Sequence, residues 1–380
     1  TKTGWVVAVD QAGDVAWYYK SEEPIGDIRD MGNGNLICNR TDGRLVEIDR
    51  EGNIQRHWYA TGKWESKTPP AGGIPIEAPA FHHCLVPMKN GNLLVTSIEI
   101  RRYDDWPGSD SDPDAPTESA NLVGDVIMEV TPEGKTVNEW RFLDMLDPYR
   151  ICYGSRSGYW AQRGFTGSFD WCHTNCIFYD ASDDTILASL RTQDCMIKFS
   201  RGDGSLKWIL GTPENWRQPW ADKLLKPEGA LDWQYHQHDC SVTPTGTILC
   251  FDNANHQATP FQPEMPPADN TSRIVEFAVD EATGTVRQVW SHGTEPDYRI
   301  FACYQGGAIR LPETGNTFMS YGGICTIDGA PSEDVGASFC RACLREVTPG
   351  GEVVFELWID DSNASEPRPY SVFRSAHLGA

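Results

Sequence analysis

Hydrophobic and polar residues alternate in short runs that end in tight turns along nearly the whole chain. Residues 173–208 show the pattern, with apolar strands separated by Asp- and Gly-containing turns and a last strand that ends in Trp208. Alternation over about four to eight residues is typical of half-buried β-strands, and such turn residues supply the positive φ angles that tight hairpins need. The only candidate helix is a short one at 217–228.

The same four-strand unit recurs along the chain, and each copy has a Gly turn before a strand that ends in Trp. The copies cover 28–58, 81–140, 173–208, 238–290 and 304–358. Repeats of about 40 residues or more with four strands each predict the blades of a β-propeller. The intervening segments are predicted to be long loops on one face of the propeller, at 61–80, 101–120, 141–169, 212–237 and 253–271.

The two ends of the chain supply the parts of one more unit. Residues 4–19 match the second half of a blade, and 369–378 can supply its missing inner strand. Pairing both ends in one blade would close the ring and remove free sheet edges. The sequence therefore predicts an all-β, six-bladed β-propeller, closed by both termini, as a single domain over residues 1–380.

Charge and hydropathy exclude two classes of partner. The chain has 32 Lys and Arg against 54 Asp and Glu, a net charge of −22, whereas nucleic-acid binding needs a basic face. No apolar run reaches the roughly 18 residues that a membrane-spanning helix requires. Thr1 is not a natural start residue, so we expect a removed leader and a periplasmic or secreted protein.

The chain has 12 cysteines, which leave three interpretations open. Cys340 and Cys343, with Cys325 as the nearest further ligand, could form part of a zinc site. Disulfides in an extracytoplasmic protein and buried free thiols are the alternatives.

Polar side chains recur at the start of the first strand of several units, a position that lines the channel of a propeller. Arg191 ends the second strand of the unit that begins with His173, and Asn253 has the corresponding place in the next unit. Ring closure would bring these groups into one pocket. The residues at the strand starts are His82, His83, His173, Asn175, Gln237, His238, Tyr304 and Gln305.

This set of side chains suits the transfer of an anionic group. Arg191 offers a fixed fork of donors to anionic oxygens, and Asn175 adds a neutral donor. One imidazole can attack while another carries a proton. We expect no metal, because carboxylates that would complete a histidine site are not evident, and no cofactor; a Gly-x-Ser-x-Gly motif for serine chemistry is absent from the sequence.

At these residues the chain resembles the bacterial arylsulfotransferase family. The similarity is clearest in D-W-x-H-x-N at 170–175, in the Arg191 strand, and in the Q-H-D and F-D-N motifs at 237–239 and 251–253. The resemblance implies a six-bladed propeller. It also implies that a phenolic sulfate ester gives SO₃ to His238, from which an acceptor phenol then takes it.

The resemblance further implies roles for individual residues. His173, Asn175 and Arg191 would hold the sulfuryl oxygens, and His83, or His82 beside it, would be the remaining channel histidine. His173 or His83 would give a proton to the leaving oxygen. The residues that we predict to contact the substrate are His82, Tyr235, Asn253, Tyr304 and Gln305.

Two other functions remain open from the residues alone. A polysaccharide lyase would act on a uronate-containing anionic glycan, with Arg191 neutralising the carboxylate and a histidine or Tyr235 as the base. A non-catalytic binding propeller would need no reactive groups at its axis.

Overall fold

The computed structural model describes residues 3–360 and 370–376. Its regular structure is nearly all β, as the alternation of hydrophobic and polar positions predicts. Among the described residues, no helix has the length and apolar character needed to cross a membrane. The chain divides into two compact units, the first made of Thr1–Ile100 and Gly124–Met145 and the second of Arg101–Val123 and Leu146–Ala380.

The first unit begins with an antiparallel sheet and a mixed sheet. A two-stranded sheet contains β1 (Gly4–Val9) and β2 (Val15–Ser21). A five-stranded sheet follows, in which four strands form an antiparallel meander and the fifth pairs in parallel with the fourth. Its strands are β3 (Ile25–Asp30), β4 (Leu36–Arg40), β5 (Arg44–Ile48), β6 (Ile54–Ala60) and β7 (Ile74–Ile76).

The third sheet contains two unusually long strands. Its members are β8 (Leu85–Pro87), β9 (Leu93–Trp106), β10 (Glu118–Val130), β11 (Thr136–Arg141) and β12 (Ser168–Asp170). The prediction of a loop over 101–120 was wrong at both ends, because β9 continues to Trp106 and β10 begins at Glu118. Side chains from Glu99 to Asp105 are largely exposed. The polar composition of this exposed part of β9 resembles that of a loop, and the sequence therefore suggested one. The four-residue helix α1 (Phe142–Met145) follows β11.

An apolar core holds the sheets of the first unit together. Ile37 and Trp58 from one sheet pack with Leu85, Leu93 and Val126 from the next, and all five side chains are buried. Burial of apolar surface on this scale is the main stabilising contribution to such a fold.

The second unit contains three successive antiparallel meanders, as the repeat pattern predicts. The first contains β13 (Thr174–Asp180), β14 (Thr185–Leu190), β15 (Cys195–Ser200) and β16 (Leu206–Gly211). The second contains β18 (His238–Val242), β19 (Ile248–Asp252), β20 (Arg273–Asp280) and β21 (Thr285–His292), with β17 (Lys226–Pro227) parallel to β21. The third contains β22 (Gly307–Arg310), β23 (Thr317–Ile327), β24 (Ala330–Pro331), β25 (Phe339–Val347) and β26 (Val353–Ile359).

The first strands of these three meanders are neighbours. β18 contacts both β13 and β22, and Phe251, Ile274, Met319 and Tyr321 form a buried core between the second and third meanders. This order places the starts of β13, β18 and β22 close together within the second unit.

Short 3₁₀ helices make up most of the remaining regular structure. The segment predicted to hold a short helix at 217–228 contains one such turn and then β17. The 3₁₀ helices are Thr61–Lys63, Ala161–Arg163, Arg191–Gln193, Trp220–Lys223 and Pro296–Tyr298.

The described part of the C-terminal segment forms no strand. Within 370–376, the Val372 N–H donates a 3.0 Å hydrogen bond to the Gly322 carbonyl, whereas β1 pairs only with β2. His377 and Leu378, the end of the predicted inner strand, lie outside the described residues. Closure by both termini therefore stays a prediction.

The cysteines resolve into one disulfide and buried thiols. Cys325 and Cys340 are bonded to each other, with Cα atoms 4.3 Å apart. Cys343, which the sequence suggested as a zinc ligand together with Cys325 and Cys340, is a buried free thiol. Two of the three thiolates that the zinc interpretation requires are thus held in the disulfide.

Candidate active site

Three of the predicted site residues that precede first strands share an uncommon backbone conformation. φ is 45° at His83, 46° at His173 and 58° at Gln305, in the left-handed region that non-glycine residues rarely adopt. Each lies within two residues of the first strand of its sheet. The common conformation supports the alignment of the repeats, and strained backbone of this kind is concentrated at functional sites.

In the second unit, the first meander holds His173 beside Arg191. The Arg191 N–H donates a 3.1 Å hydrogen bond to the His173 carbonyl. The His173 Nδ1 is hydrogen bonded to the Asp170 carboxylate, and the ring meets Tyr159 edge-on at 4.7 Å between centroids. A carboxylate on one ring nitrogen fixes both the tautomer and the orientation of an imidazole.

Asn175 binds the neighbouring strand rather than facing the solvent. Its side chain is fully buried, and Nδ2 donates a 2.7 Å hydrogen bond to the Gln237 carbonyl. The Gln237 side chain in turn binds the first meander. Its Nε2 donates hydrogen bonds to Ser189 Oγ, the Leu190 carbonyl and the Cys195 carbonyl, at 3.1, 3.2 and 2.9 Å. These bonds fix the position of β18, whose first residue is His238.

His238 is held by hydrogen bonds at both ring nitrogens. Its Nδ1 lies 2.7 Å from Asn253 Oδ1, and its Nε2 accepts a 3.2 Å hydrogen bond from the Gln305 N–H. Asn253 Nδ2 donates to the Ala302 and Gln305 carbonyls, which leaves Oδ1 as the acceptor facing the imidazole. The ring therefore carries its proton on Nδ1 and its lone pair on Nε2.

The charges around His238 favour its neutral form. Burial lowers its pKa well below the ordinary 6.5, and the positive charge of Arg191 lowers it further. His173 and Arg374 act in the same direction, while the Asn253 hydrogen bond opposes them. A neutral imidazole with its lone pair on Nε2 is the nucleophilic form of histidine at neutral pH.

Arg191 combines burial with unused hydrogen-bonding capacity. Among the described residues, no carboxylate lies within ion-pair distance of its guanidinium, and its buried Nε has no hydrogen-bond partner. Burial lowers the pKa of Arg191 below its ordinary value, and Asp170 opposes that shift. A charged, planar donor set that lacks a carboxylate partner is suited to an anionic ligand.

The Arg191 side chain lines a cavity of about 230 Å³ in the second unit. Tyr304, predicted to contact substrate, lines it as well, together with His236, which the sequence placed only in a loop. Tyr235, another predicted contact, is half-buried, and burial raises its pKa far above 10. Such a phenol stays protonated at neutral pH.

His82 and His83 belong to the first unit. Their Nδ1 atoms lie 2.9 Å apart, and His82 Nε2 is 3.1 Å from the Ser97 carbonyl and 3.4 Å from Asp125 Oδ1. His82 is buried and His83 half-buried. Their predicted place beside the residues of the second unit stays a prediction.

Several residues of the site were missed by the sequence reasoning. Asp170 precedes His173 by three positions, so it had a local signal. Arg374 had none: its guanidinium forms a buried ion pair with Asp239 and donates a 3.2 Å hydrogen bond to the Asn175 carbonyl. Only folding brings this C-terminal arginine to the start of β18.

No obvious metal site accompanies these residues. Within 3–360 and 370–376, no group of three or more His, Cys, Asp or Glu side chains has an arrangement that could hold a metal ion. The donors around His238 are instead an amide, a backbone N–H and a guanidinium, which suit an anionic ligand.

Comparison with known proteins identifies relatives with a named activity. Arylsulfate sulfotransferase AssT of Escherichia coli O6:H1 (strain CFT073) is 31% identical over 244 residues, 53% of this chain and 40% of that protein. The protein of the same name from Lelliottia amnigena is 30% identical over 229 residues, 48% of this chain and 37% of its own. The matched segments thus span about two fifths of these relatives.

Among solved structures, a protein of unknown function from Bacteroides caccae matches over 94% of both chains, with a TM-score of 0.48 and 12% identity. The family model described as Arylsulfotransferase (ASST) matches residues 1–367. With a match over nearly its whole length, the chain belongs to the arylsulfotransferase family.

Proposed function

We propose that this protein transfers a sulfuryl group from a phenolic sulfate ester to an acceptor phenol through a sulfohistidine at His238. The observation that carries the proposal is the state of His238: neutral, with its proton directed to Asn253 and its Nε2 lone pair available beside the charge of Arg191. Membership of the family supports the same reaction class.

The first half-reaction forms a bond between His238 Nε2 and sulfur while the bond from sulfur to the ester oxygen breaks. The Gln305 N–H, which donates to Nε2 at 3.2 Å in the free protein, must give up that hydrogen bond as the new bond forms. The phenolate leaves with the electron pair of the broken bond. In the second half-reaction, the acceptor oxygen takes the sulfur and the electron pair returns to Nε2.

Charge stabilisation comes from Arg191 and from His173 beside it. Sulfuryl transfer, like phosphoryl transfer, depends mainly on positioning and on electrostatic stabilisation of a loose transition state. Asn175, being fully buried and bonded to Gln237, acts in this proposal by fixing the strand that carries His238.

The wider architecture belongs to the proposal too. Five of the six sheets have four strands or more, which supports the blades of a six-bladed propeller. Ring closure by both termini, which would bring His83 to the same axis, is part of the proposal. The Cys325–Cys340 disulfide supports a periplasmic or secreted location, since disulfides persist in oxidising compartments.

The lyase alternative gains no support from the geometry. Of the two kinds of base proposed for it, a histidine or Tyr235, the tyrosine has a pKa raised far above 10 by burial, so the phenolate that would remove a proton is disfavoured at neutral pH. The family does not favour a binding propeller either.

The proposal is tested by rapid mixing with 4-nitrophenyl sulfate in the absence and presence of phenol. We expect one equivalent of nitrophenol to be released quickly without acceptor, and a peptide that carries one SO₃ group on His238 to be found by mass spectrometry. His238→Gln should abolish both signals, whereas His292→Gln, at a buried histidine on β21, should retain them. Release without a sulfated peptide, or an equal burst in His238→Gln, would refute the proposal.

A further inference from the structure

The cavity beside Arg191 contains reactive groups to which the proposed reaction has assigned no role. It is about 230 Å³ in volume, enough for an aromatic ring with a small substituent. Its polar wall includes Arg191, His236, His256, Tyr304 and Glu333. Because Arg191 would bind the sulfuryl group, the phenol oxygen that gains or loses that group must lie in or beside this cavity.

His236 forms a buried pair with Asp194 at the wall of the cavity. Its Nδ1 lies 3.1 Å from Asp194 Oδ1, both side chains are almost fully buried, and the same carboxylate oxygen accepts the His236 N–H at 2.7 Å. Nε2 is directed toward Gly154, another cavity residue, where an added Cβ would come within 3.3 Å. The Asp194 carboxylate lies near Nδ1 without forming a well-aligned hydrogen bond to it, and its negative charge favours a proton on Nδ1. Nε2 then carries the lone pair that faces the cavity.

The charged groups that face His236 are Asp194, Arg191 and His256. The His236 and His256 rings meet edge-to-face at 5.1 Å, and His256 Nδ1 lies 2.6 Å from the Glu264 carboxylate. Burial lowers the pKa of His236, Asp194 raises it in part, and Arg191 lowers it further. Burial alone would raise the pKa of Asp194, but His236 keeps it below 3.8. The pair therefore consists of a carboxylate and a neutral imidazole.

Several groups in or beside the cavity are poor proton acceptors. His256 and Glu333 also line it, and His256 Nε2 lies 3.7 Å from the Glu333 carboxylate. Burial raises the pKa of the Cys303 thiol to about 12 and also raises the pKa of Tyr304 above 10. His238 is bonded to sulfur in the intermediate and cannot take a proton on Nε2. Arg191 has no lone pair to offer.

We propose that His236, oriented by Asp194, is the general base for the acceptor hydroxyl. This inference rests on the proposed sulfuryl transfer. The acceptor oxygen forms its bond to sulfur, the bond between sulfur and His238 Nε2 breaks, and the hydroxyl proton moves to His236 Nε2. In the next turnover the same proton passes to the oxygen of a leaving phenolate, so the cycle balances.

The test separates the two half-reactions in His236→Gln. With 4-nitrophenyl sulfate the leaving group is stable as an anion and needs no acid, so we expect the nitrophenol burst to stay within twofold of the wild type. Transfer to phenol, which has a pKa near 10, should slow by about 10²–10⁴-fold, the usual contribution of general base catalysis. Transfer to an acidic nitrophenol, already ionised at neutral pH, should slow far less. His292→Gln is the matched control.

The outcomes distinguish failure of the proposed sulfuryl transfer from failure of the role assigned to His236. If the wild type shows no burst, the proposed function itself fails. If His236→Gln keeps its burst and transfers to phenol at the wild-type rate, or loses the burst while remaining folded by circular dichroism, the role of His236 is overturned. Asp194→Asn should reproduce the loss of transfer to phenol, with the burst retained.

A measurement on the wild type tests the role of His236 even if the variants do not fold. The rate of the acceptor step should rise with pH to a plateau whose midpoint lies below 6.5 and is the same for phenols of different acidity. A midpoint that follows the acidity of each phenol would show that the acceptor ionises in solution, which overturns the inference.

Discussion

At the scale of single residues, the site depends on which ring nitrogen of His238 carries the proton. Asn253 determines this, because its Nδ2 is bound to the Ala302 and Gln305 carbonyls and its Oδ1 is directed at the imidazole. The Asn253 side chain thus connects His238 to Gln305, whose backbone N–H contacts the His238 Nε2.

We expect Asn253→Ala to slow the nitrophenol burst by about 10²-fold or more, a loss comparable to that of other single polar groups in active sites. It should also lower the free energy of unfolding by about 1–3 kcal/mol, because two buried carbonyls lose their donor. Burst kinetics and urea unfolding measure the two effects. Asn270→Ala, which removes a partly buried hydrogen bond to the Met265 carbonyl, should leave the burst unchanged.

The pH dependence of the burst follows from the lowered pKa of His238. Protonation blocks Nε2, and the folded protein resists it, since burial and Arg191 hold this pKa well below 6.5. The burst rate should therefore stay constant as the pH falls through 6.5 and decline only at lower pH. The unfolded chain takes up this proton near 6.5, so His238 also causes a loss of stability as the pH falls below that value. A decline of the burst centred at or above 6.5 would contradict the assignment.

At the scale of elements, the polar contacts of Gln237 and Asn175 join the first and second meanders of the second unit. Gln237 is fully buried, and its Nε2 donates to Ser189 and Leu190 of β14 and to Cys195 of β15. This linkage fixes the position of His238, the first residue of β18, close enough to Arg191 for its charge to lower the pKa of the imidazole.

Gln237→Leu would leave those backbone groups without their side-chain donor. We expect a loss of about 1–3 kcal/mol in the free energy of unfolding and a slower nitrophenol burst, because the start of β18 is no longer held. Gln288→Leu is the control, since this half-buried side chain lies on β21 of the same sheet. Urea unfolding that is the same for both variants would show that Gln237 does not connect the meanders.

The strands of the second unit were predictable because their signals are local. The alternation of hydrophobic and polar residues, together with the turn residues, predicts β13 to β16 over 173–208. The same pattern predicts the starts of β18 and β22. By contrast, the contact of His236 with Asp194 joins positions 42 residues apart, and neither residue has a periodicity that marks it. The exposed ends of β9 and β10 were missed because their side chains are polar on both faces.

At the scale of the whole molecule, the C-terminal segment reaches the centre of the second unit. Arg374 and Asp239 are both buried, and Arg374 also binds the carbonyl of Asn175. A buried carboxylate without its partner is costly. The segment that sequence assigned to a closing strand therefore supplies the counter-charge beside the candidate nucleophile.

We expect Arg374→Ala to lower the free energy of unfolding by about 3–5 kcal/mol, because Asp239 is left buried and unpaired. The double variant Arg374→Ala with Asp239→Asn should recover part of that loss. Urea unfolding of the two single variants and the double variant measures the coupling between the side chains. Additive effects of the two substitutions would contradict a direct interaction.

The Cys325–Cys340 disulfide gives the cavity a dependence on the redox state of its surroundings. The loop that it closes carries Glu333 and Val335, and the two sulfurs pack with Cys303, Tyr304 and Val335. Closing a loop of this length, with a sequence separation of 15, stabilises a fold by about 3 kcal/mol. A reducing environment would remove this restraint, while the pairing of β23 with β25 and the hydrogen bonds of β13 and β18 would remain. We therefore expect reduction to weaken the binding of an aromatic ring before it affects His238.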